Sequence, residues 1–144
     1  MSVRLDKKAL SEGLDIVAET QVKPSESKEK VANAISNLFK EKGELRVEDQ
    51  IVRFVSSDLE SLRFLKDQFR DRQVRAAARR LLLVNNQDSN QTFLLLNKQA
   101  ATVSIAALCD DPKESALGPI ILRIRSPNID QIIDWLTEGF SPQR

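Results

Sequence analysis

The chain has 144 residues and a mass of 16.2 kDa, which is the size of one domain. Its 22 Lys and Arg residues balance 21 Asp and Glu residues, which excludes a histone-like nucleic-acid binder with a large basic excess. The sequence has no His and one Cys, so His-dependent nucleophilic catalysis and Cys/His zinc sites are excluded. Its four scattered glycines form neither a Walker loop nor a dinucleotide-binding turn.

The same composition sets an expectation for the compartment. No stretch approaches the roughly 18 consecutive apolar residues that a transmembrane helix needs. The charged start, Met1 to Glu12, lacks the apolar region of a signal peptide. A lone cysteine, Cys109, forms no internal disulfide and is typical of a reducing environment. We therefore expect a cytoplasmic protein that does not bind membranes.

The first part of the chain predicts a strand followed by a helix. A polar lead-in holds a short helical turn at Lys7 to Leu10. Leu14 to Val22 alternates apolar and polar residues, the pattern of a half-buried strand. Ser25 is the expected N-cap of the next helix, which Gly43 ends. The apolar face of that helix consists of Val31, Ile35, Leu38 and Phe39.

The middle of the chain predicts a hairpin and two further helices. Two short alternating runs flank Glu48-Asp49-Gln50 and form the hairpin. Ser57 to Glu60 matches a capping box at the start of the next helix. A second helix covers Gln73 to Val84. The apolar positions are Leu62, Leu65 and Phe69 in the first helix and Val74, Ala77, Ala78, Leu81 and Leu82 in the second.

The last part predicts three strands and a helix. The first two strands cover Thr92 to Leu96 and Ala101 to Leu108, and a charged loop over Cys109 to Ala116 follows them. A third strand alternates apolar residues with Arg123 and Arg125. The final helix begins after Pro127 and has an apolar face of Ile129, Ile132, Ile133 and Leu136.

The order of these elements defines a fold class. The order β-α-β-β-α-α-β-β-β-α indicates an α+β fold with a largely antiparallel sheet and helices packed on one face of it. We expect residues 1–13 to be a lead-in and residues 14–144 to be a single domain. No internal repeat interrupts that domain.

Three segments together form a specific motif. The first is Asn97-Lys98-Gln99-Ala100-Ala101, the second contains Leu117-Gly118-Pro119, and the third is Trp135-Leu136. These segments resemble the NKQAA, ESPLGPI and closing WL segments of the archaeal uncharacterised protein family 0201. The likeness extends over roughly residues 14 to 136 and includes Ala78-Arg79, where the family has an Ala-Arg pair.

The resemblance implies a fold and a function. Family members resemble ribosomal protein L-five, which contacts ribosomal RNA, and the likeness implies RNA binding, a homodimer and no catalytic activity. The chain departs from the family at Ala116, which replaces a proline, and at Ser104, where a glycine is usual. The segment from Thr137 to Arg144 also lacks the usual ending.

A run of basic residues is the strongest local signal for a partner. The segment from Arg63 to Arg80 contains seven Lys and Arg residues and only two acidic residues, Asp67 and Asp71, which gives a local excess of five positive charges. Arg72, Arg75 and Arg79 are spaced to share one helical face, and guanidinium groups suit phosphate. The alternative is a solvated face in which Asp67 and Asp71 pair with Arg70 and Arg75.

Asn97-Lys98-Gln99 is the second candidate, because these polar side chains interrupt two apolar strands. Lys98 can supply a point charge for a phosphate at a strand end. Alternatively, the three side chains satisfy open backbone groups where two strands meet, or bridge a dimer contact. The sequence favours neither interpretation.

Two loops have simpler interpretations. In Leu117-Gly118-Pro119, the glycine supplies a special backbone conformation and the proline starts a strand. The carboxylates between Asp110 and Glu114 are expected to be solvated, although such a cluster can hold a hard cation. Cys109 is expected to be a plain residue at a strand end, since the sequence places no activating group beside it.

Two further residue sets have open roles. Arg123 and Arg125 share one sheet face, where they either extend a basic surface or pair with acids such as Asp15 or Glu19. Trp135 adjoins an apolar helical stripe and is expected to be a core or dimer contact. A sequence without Tyr offers little support for base stacking.

These observations lead to one expectation and two rivals. We expect a non-enzymatic protein, without metal or cofactor, that binds the phosphate backbone of structured RNA. The residues expected at that contact are Arg72, Arg75, Arg79, Arg80 and Lys98. The first rival is an assembly protein whose homodimer docks on another protein. The second is a small metal- or phosphate-dependent enzyme that uses Lys98 and the loop from Asp110 to Glu114.

Overall fold

Antiparallel pairing joins the strands of the described chain into one six-stranded sheet, in the order β2-β3-β1-β6-β4-β5. The structure is a computed structural model that describes residues 7–40, 42–86, 88, 90–114 and 117–138. The strands are β1 (Asp15–Gln21), β2 (Glu44–Glu48), β3 (Ile51–Ser56), β4 (Gln91–Asn97), β5 (Leu108–Cys109) and β6 (Pro119–Arg125). The helices are α1 (Lys7–Leu10), α2 (Lys28–Phe39), α3 (Arg63–Asp71), α4 (Arg75–Val84), α5 (Lys98–Ala101) and α6 (Ile129–Leu136).

One face of the sheet forms the floor of the hydrophobic core. In β1, Ile16 and Ala18 are buried, whereas the alternating residues Asp15, Val17 and Glu19 are exposed or half-buried. The helices close the core with their apolar faces. The contributing residues include Val31, Ile35 and Leu38 of α2, Leu65 and Phe69 of α3, and Ile129, Ile132, Ile133 and Leu136 of α6. The helices therefore cover one face of the sheet, and the odd-numbered side chains of β1 lie on the other.

The α+β class, the antiparallel sheet and the broad order of elements are confirmed. The hairpin forms with Asp49 at its turn in a positive-φ conformation, φ 52°. The predicted helical turn at Lys7 to Leu10 is present as α1, whereas the rest of the lead-in before it and Ala116 lie outside the described residues. Leu10 is buried, and the Ser11 hydroxyl accepts a hydrogen bond from the backbone N–H of Leu59 at 3.1 Å. The end of the lead-in therefore contacts the domain core.

The predicted strand from Ala101 to Leu108 is wrong. Asn97 caps a helical turn instead, because its side chain accepts a hydrogen bond from the backbone N–H of Ala100 at 2.8 Å. The chain then turns through Ser104 at a positive φ of 62° and pairs with β4 only at Leu108 and Cys109. In this segment Ala101 and Ala106 are buried, and the residues between and after them up to Leu108 are half-buried or exposed.

Two predicted boundaries of α2 are also wrong. Ser27, not Ser25, caps the helix by accepting a hydrogen bond from the backbone N–H of Lys30. Ser25 lies in a turn closed by the backbone hydrogen bond from Glu26 to Lys23. Lys40 ends the helix at a positive φ of 51°, before Gly43 is reached.

The predicted roles of two further residues are corrected. Gly43 lies against the Phe54 ring, where a Cβ atom would overlap the ring, so its small size serves close packing. Asp58, not Ser57, caps the 3-10 turn over Leu59–Leu62 by accepting from the backbone N–H of Glu60. The second helix begins at Arg75, two residues after the predicted start.

Candidate nucleic-acid interface

Arg72 and Arg75 lie around the connection between α3 and α4. The guanidinium of Arg72 donates to the backbone oxygen of Ala106 at 3.2 Å, and that of Arg75 donates to the backbone oxygen of Glu138 at 3.1 Å. Within the described residues, neither guanidinium lies within 4 Å of a carboxylate. Their positive charges are therefore positioned by backbone oxygens without being neutralised by an ion pair.

Arg79 and Arg80 are held differently from each other. Arg79 forms an ion pair of 2.6 Å with Asp134 on α6, so it links two helices. Arg80 reaches Asp110 only at 3.9 Å, and its side chain is 61% exposed. Arg80 is thus available to solvent, whereas Arg79 has a structural partner.

The remaining cations of this run have close carboxylate partners. Arg63 pairs with Glu60 at 3.1 Å, and Lys66 pairs with Glu138 at 2.8 Å. Arg70 pairs with Asp67 and Asp71 at 3.6 and 3.0 Å; the predicted local pairing is confirmed for Arg70 and wrong for Arg75. Hydrogen bonds to the carboxylates raise the pKa of Arg63 and of Arg70.

The folded chain therefore reduces the basic excess that the sequence shows. Glu60, Asp110, Asp134 and Glu138 come from outside the two helices and approach their cations. We name the surface of Arg72, Arg75 and Arg80 the helix surface. These are the cations of the run whose charge is least compensated by nearby carboxylates.

Trp135 packs against two of the paired cations, Arg63 and Lys66. Its ring is half-buried against the core, and two cations lie over it: the guanidinium of Arg63 at 5.2 Å and the ammonium of Lys66 at 5.1 Å. This arrangement agrees with the predicted packing role.

Lys98 lies inside the protein. Its side chain is 2% exposed, and its ammonium group uses all three donors, to the Glu26 carboxylate at 2.9 Å and to the backbone oxygens of Gln21 and Leu117, both at 2.7 Å. Lys98 therefore joins the end of β1, the start of α2 and the loop before β6. Sequence reasoning missed Glu26, because only the fold shows that Lys98 is buried and therefore needs a carboxylate partner.

The other motif residues support the same junction. Gly118 has a positive φ of 85°, and Pro119 is the first residue of β6, so the predicted structural roles of Leu117-Gly118-Pro119 are confirmed. The backbone oxygen of Pro119 accepts from the Thr20 hydroxyl at 2.9 Å. The NKQAA and LGP segments thus meet around a buried ammonium group.

Arg123 and Arg125 project from β6 on the sheet face opposite the helices, where both are exposed. Neither guanidinium group makes a hydrogen bond or an ion pair with the described residues. The predicted alternative of pairing with Asp15 or Glu19 is wrong, because Glu19 pairs with Arg53 at 2.9 Å and Asp15, although it lies across from Arg125, forms no ion pair with the described residues. A depression of about 620 Å³ opens beside the two arginines.

The described residues offer no metal site and no membrane span. No group of three or more His, Cys, Asp or Glu side chains in this part of the chain could hold a metal ion. No helix in the same part is long and apolar enough to cross a bilayer. Lys98 has all its donors occupied by Gln21, Glu26 and Leu117, so the second rival function loses its proposed phosphate ligand.

Comparison with known proteins identifies the class of fold. A family model described as RNA binding matches residues 15–126. A solved UPF0201 protein covers 90% of this chain and 98% of its own at a TM-score of 0.74 and 27% identity. The solved UPF0201 protein of Methanococcus jannaschii covers 89% of this chain and 96% of its own, with a TM-score of 0.71 and 28% identity.

Curated relatives narrow this class to one family. The UPF0201 protein of Sulfurisphaera tokodaii is 40% identical over 125 residues, which are 85% of this chain and 86% of the relative. That of Methanothermobacter thermautotrophicus is 37% identical over 126 residues, 88% and 92% of the two chains. The chain belongs to the UPF0201 family, so the resemblance found in the sequence is confirmed.

Proposed function

We propose that this protein binds structured RNA without catalysing a reaction, and that the helix surface contacts the phosphate backbone. The match of residues 15–126 to the RNA-binding family model is the observation that carries the proposal. The geometry supports Arg72, Arg75 and Arg80 as phosphate ligands, because their charges are the least compensated of the run. Guanidinium groups form paired, charge-assisted hydrogen bonds with phosphate oxygens.

The proposal assigns different roles to the other two predicted residues. Arg79 positions α4 against α6 through Asp134, and it adds to the electrostatic field without binding a phosphate directly. Lys98 is buried and fully hydrogen-bonded, so we leave it out of the interface. The expected interface reads the shape of paired RNA, because its ligands are phosphate groups and not base edges.

Binding of a labelled RNA duplex by fluorescence anisotropy tests the proposal. Replacing both Arg72→Gln and Arg75→Gln is expected to weaken binding about tenfold or more, since each charge-assisted hydrogen bond contributes about 1.5 kcal/mol. The slope of log affinity against log salt is expected to fall by about one unit for each arginine.

Arg46→Gln is a control for the loss of a single positive charge elsewhere, because Arg46 lies on edge strand β2 and pairs with Glu44 at 3.1 Å. It is expected to bind RNA within about twofold of the wild type. Equal binding by the wild type and the double variant would overturn the helix surface as the interface.

An assembly role is the second candidate, because charges of both signs alternate over α3, α4 and α6. Arg63–Glu60, Lys66–Glu138 and Arg79–Asp134 are examples of this alternation. Such a surface suits a protein partner with complementary charges. The homodimer that the family resemblance implies belongs to this candidate and is measurable by sedimentation equilibrium. RNA binding no stronger than binding to duplex DNA would favour the assembly role.

A further inference from the structure

The sheet face opposite the helices holds two arginines whose charges have no partner among the described residues. Arg123 and Arg125 are exposed on β6 and are two residues apart. Their backbone positions are therefore about 6.8 Å apart along the strand, and their side chains lie on the same face. This separation is comparable to that of successive phosphates in an extended nucleotide chain.

Arg53 on the same face shows how a structural arginine is compensated. Its guanidinium donates to Glu19 across the strand pair at 2.9 Å and lies 3.7 Å from Glu48. Arg123 has apolar cross-strand neighbours instead, Val17 on β1 and Phe93 on β4. An unpaired guanidinium between apolar side chains does not stabilise the sheet through an ion pair, and it remains available to an anionic ligand.

Phe93 adds an aromatic ring next to Arg123. It is half-buried and alternates with Thr92 and Leu94, which are both buried on the helix side. The Phe93 ring therefore lies on the same face as the two arginines. An aromatic side chain on an open sheet face beside cations can stack an unpaired base while the cations bind its phosphates.

The depression beside the arginines also has a cationic lining. Lys42 lines it together with Arg123 and Arg125, and none of the three has a carboxylate partner among the described residues. Of the two lining carboxylates, Glu44 is paired with Arg46, and Asp15 lies directly across from Arg125 without forming an ion pair. The balance of charge therefore favours an anionic ligand.

We propose that this face, which we name the sheet surface, binds an unpaired segment of RNA. Arg123 and Arg125 bind successive phosphates, and one base stacks on Phe93. The inference rests on the proposed function, to which it adds that the RNA partner has a single-stranded stretch beside its paired part. Because the helices cover the other side of the sheet, the paired and unpaired parts contact different sides of the molecule.

Two probes separate the sheet surface from the helix surface. One is the blunt RNA duplex, and the other is an unstructured oligouridine of about twelve nucleotides, within the usual range of single-strand sites. Replacing Arg123→Gln and Arg125→Gln together is expected to weaken oligouridine binding at least tenfold. The slope of log affinity against log salt is expected to fall by about 0.7 for each phosphate that the variant no longer binds.

Two single substitutions test the separate parts of the site. Phe93→Leu keeps an apolar side chain and is expected to weaken oligouridine binding about tenfold by removing the stacking platform. Asp15→Asn removes the carboxylate opposite Arg125 and is expected to strengthen binding several-fold. A purely structural role for these residues predicts no such gain. Arg70→Gln, which removes one positive charge on the helix side, is the control and is expected to leave oligouridine binding unchanged.

The outcomes distinguish this inference from the proposed function. Loss of oligouridine binding in the Arg123/Arg125 variant, with duplex binding intact, supports the sheet surface. A wild-type protein that binds the duplex but not oligouridine overturns the sheet surface and leaves the proposed function standing. Oligouridine binding that disappears only in the Arg72/Arg75 variant also overturns it. Failure of both probes to bind overturns both proposals and favours a protein partner.

Discussion

Lys98 shows how one residue can define a junction in this fold. Burying an ammonium group is unfavourable unless its charge and all its donors have partners. Here the Glu26 carboxylate supplies the charge, and two backbone oxygens accept the other hydrogen bonds. The Glu26 side chain is itself only 9% exposed and also accepts from the backbone N–H of Lys23 at 2.8 Å. The pair therefore forms one buried network that holds three chain segments.

We expect Lys98→Met to destabilise the protein by about 3–5 kcal/mol, because it leaves the Glu26 carboxylate buried without its cation. Chemical denaturation measures the free energy of unfolding. Adding Glu26→Gln to this variant is expected to recover part of the loss, since the unpaired charge is then removed. If the two substitutions have additive effects, Lys98 and Glu26 are not energetically coupled and this account of the junction is wrong.

Ser104 has a backbone conformation that suits glycine. Its φ of 62° is strained for a residue with a Cβ atom, and its hydroxyl makes no hydrogen bond to the described residues. We expect Ser104→Gly to stabilise the protein by about 0.5–1 kcal/mol in thermal or chemical unfolding. Ser104→Ala is the control and should be close to neutral, because it keeps the Cβ atom. A loss of stability in the glycine variant would contradict this expectation.

Single residues of the site could be predicted unequally from the sequence. The roles of Gly118 and Pro119 were predictable because local backbone geometry determines them. The environment of Lys98 was not, since its partner Glu26 lies 72 residues away in the chain. The helix cap at Asn97 was missed for a local reason. An apolar run lies on each side of Asn97, and the second run, from Ala101 to Leu108, was interpreted as a strand.

At the level of elements, periodicity succeeded where an element has one long apolar face. Helices α2, α3 and α6 and strand β6 follow from that signal because each buries regularly spaced residues against the core. The segment after β4 is too short to show a period, and its cap determines its structure. Helix starts were shifted by a few residues, as at Ser27, because several nearby residues can serve as an N-cap.

The short helix α1 gives a prediction about the lead-in. Leu10 is 5% exposed and belongs to the core, although it lies within residues 1–13. We expect Leu10→Ala to lower the free energy of unfolding by about 2–4 kcal/mol, the usual range for a buried leucine. Lys8→Ala on the exposed side of the same turn is expected to have little effect. Equal stability of the Leu10 variant and the wild type would show that the lead-in is energetically separate from the domain.

At the scale of the whole molecule, charge was the property that the sequence described least well. A linear count from Arg63 to Arg80 finds few acids, but Glu60 lies just before this run, and folding brings Asp110, Asp134 and Glu138 to these cations. Long-range pairing thus turns a basic helical run into a mixed surface with a few uncompensated arginines. The same folding leaves the guanidinium groups of Arg123 and Arg125, on the opposite face, without an ion-pair partner among the described residues.

This distribution predicts the salt dependence of RNA binding by the wild-type protein. With a net charge of only +1, the molecule as a whole attracts RNA weakly, so affinity depends on local contacts with phosphates. Three phosphate contacts at Arg72, Arg75 and Arg80 release enough counterions to lower duplex affinity by roughly 40-fold between about 50 and 200 mM salt. Anisotropy titrations over this range measure the slope. A slope near zero would exclude phosphate recognition by the helix surface, and a much steeper slope would require further cations in the duplex interface.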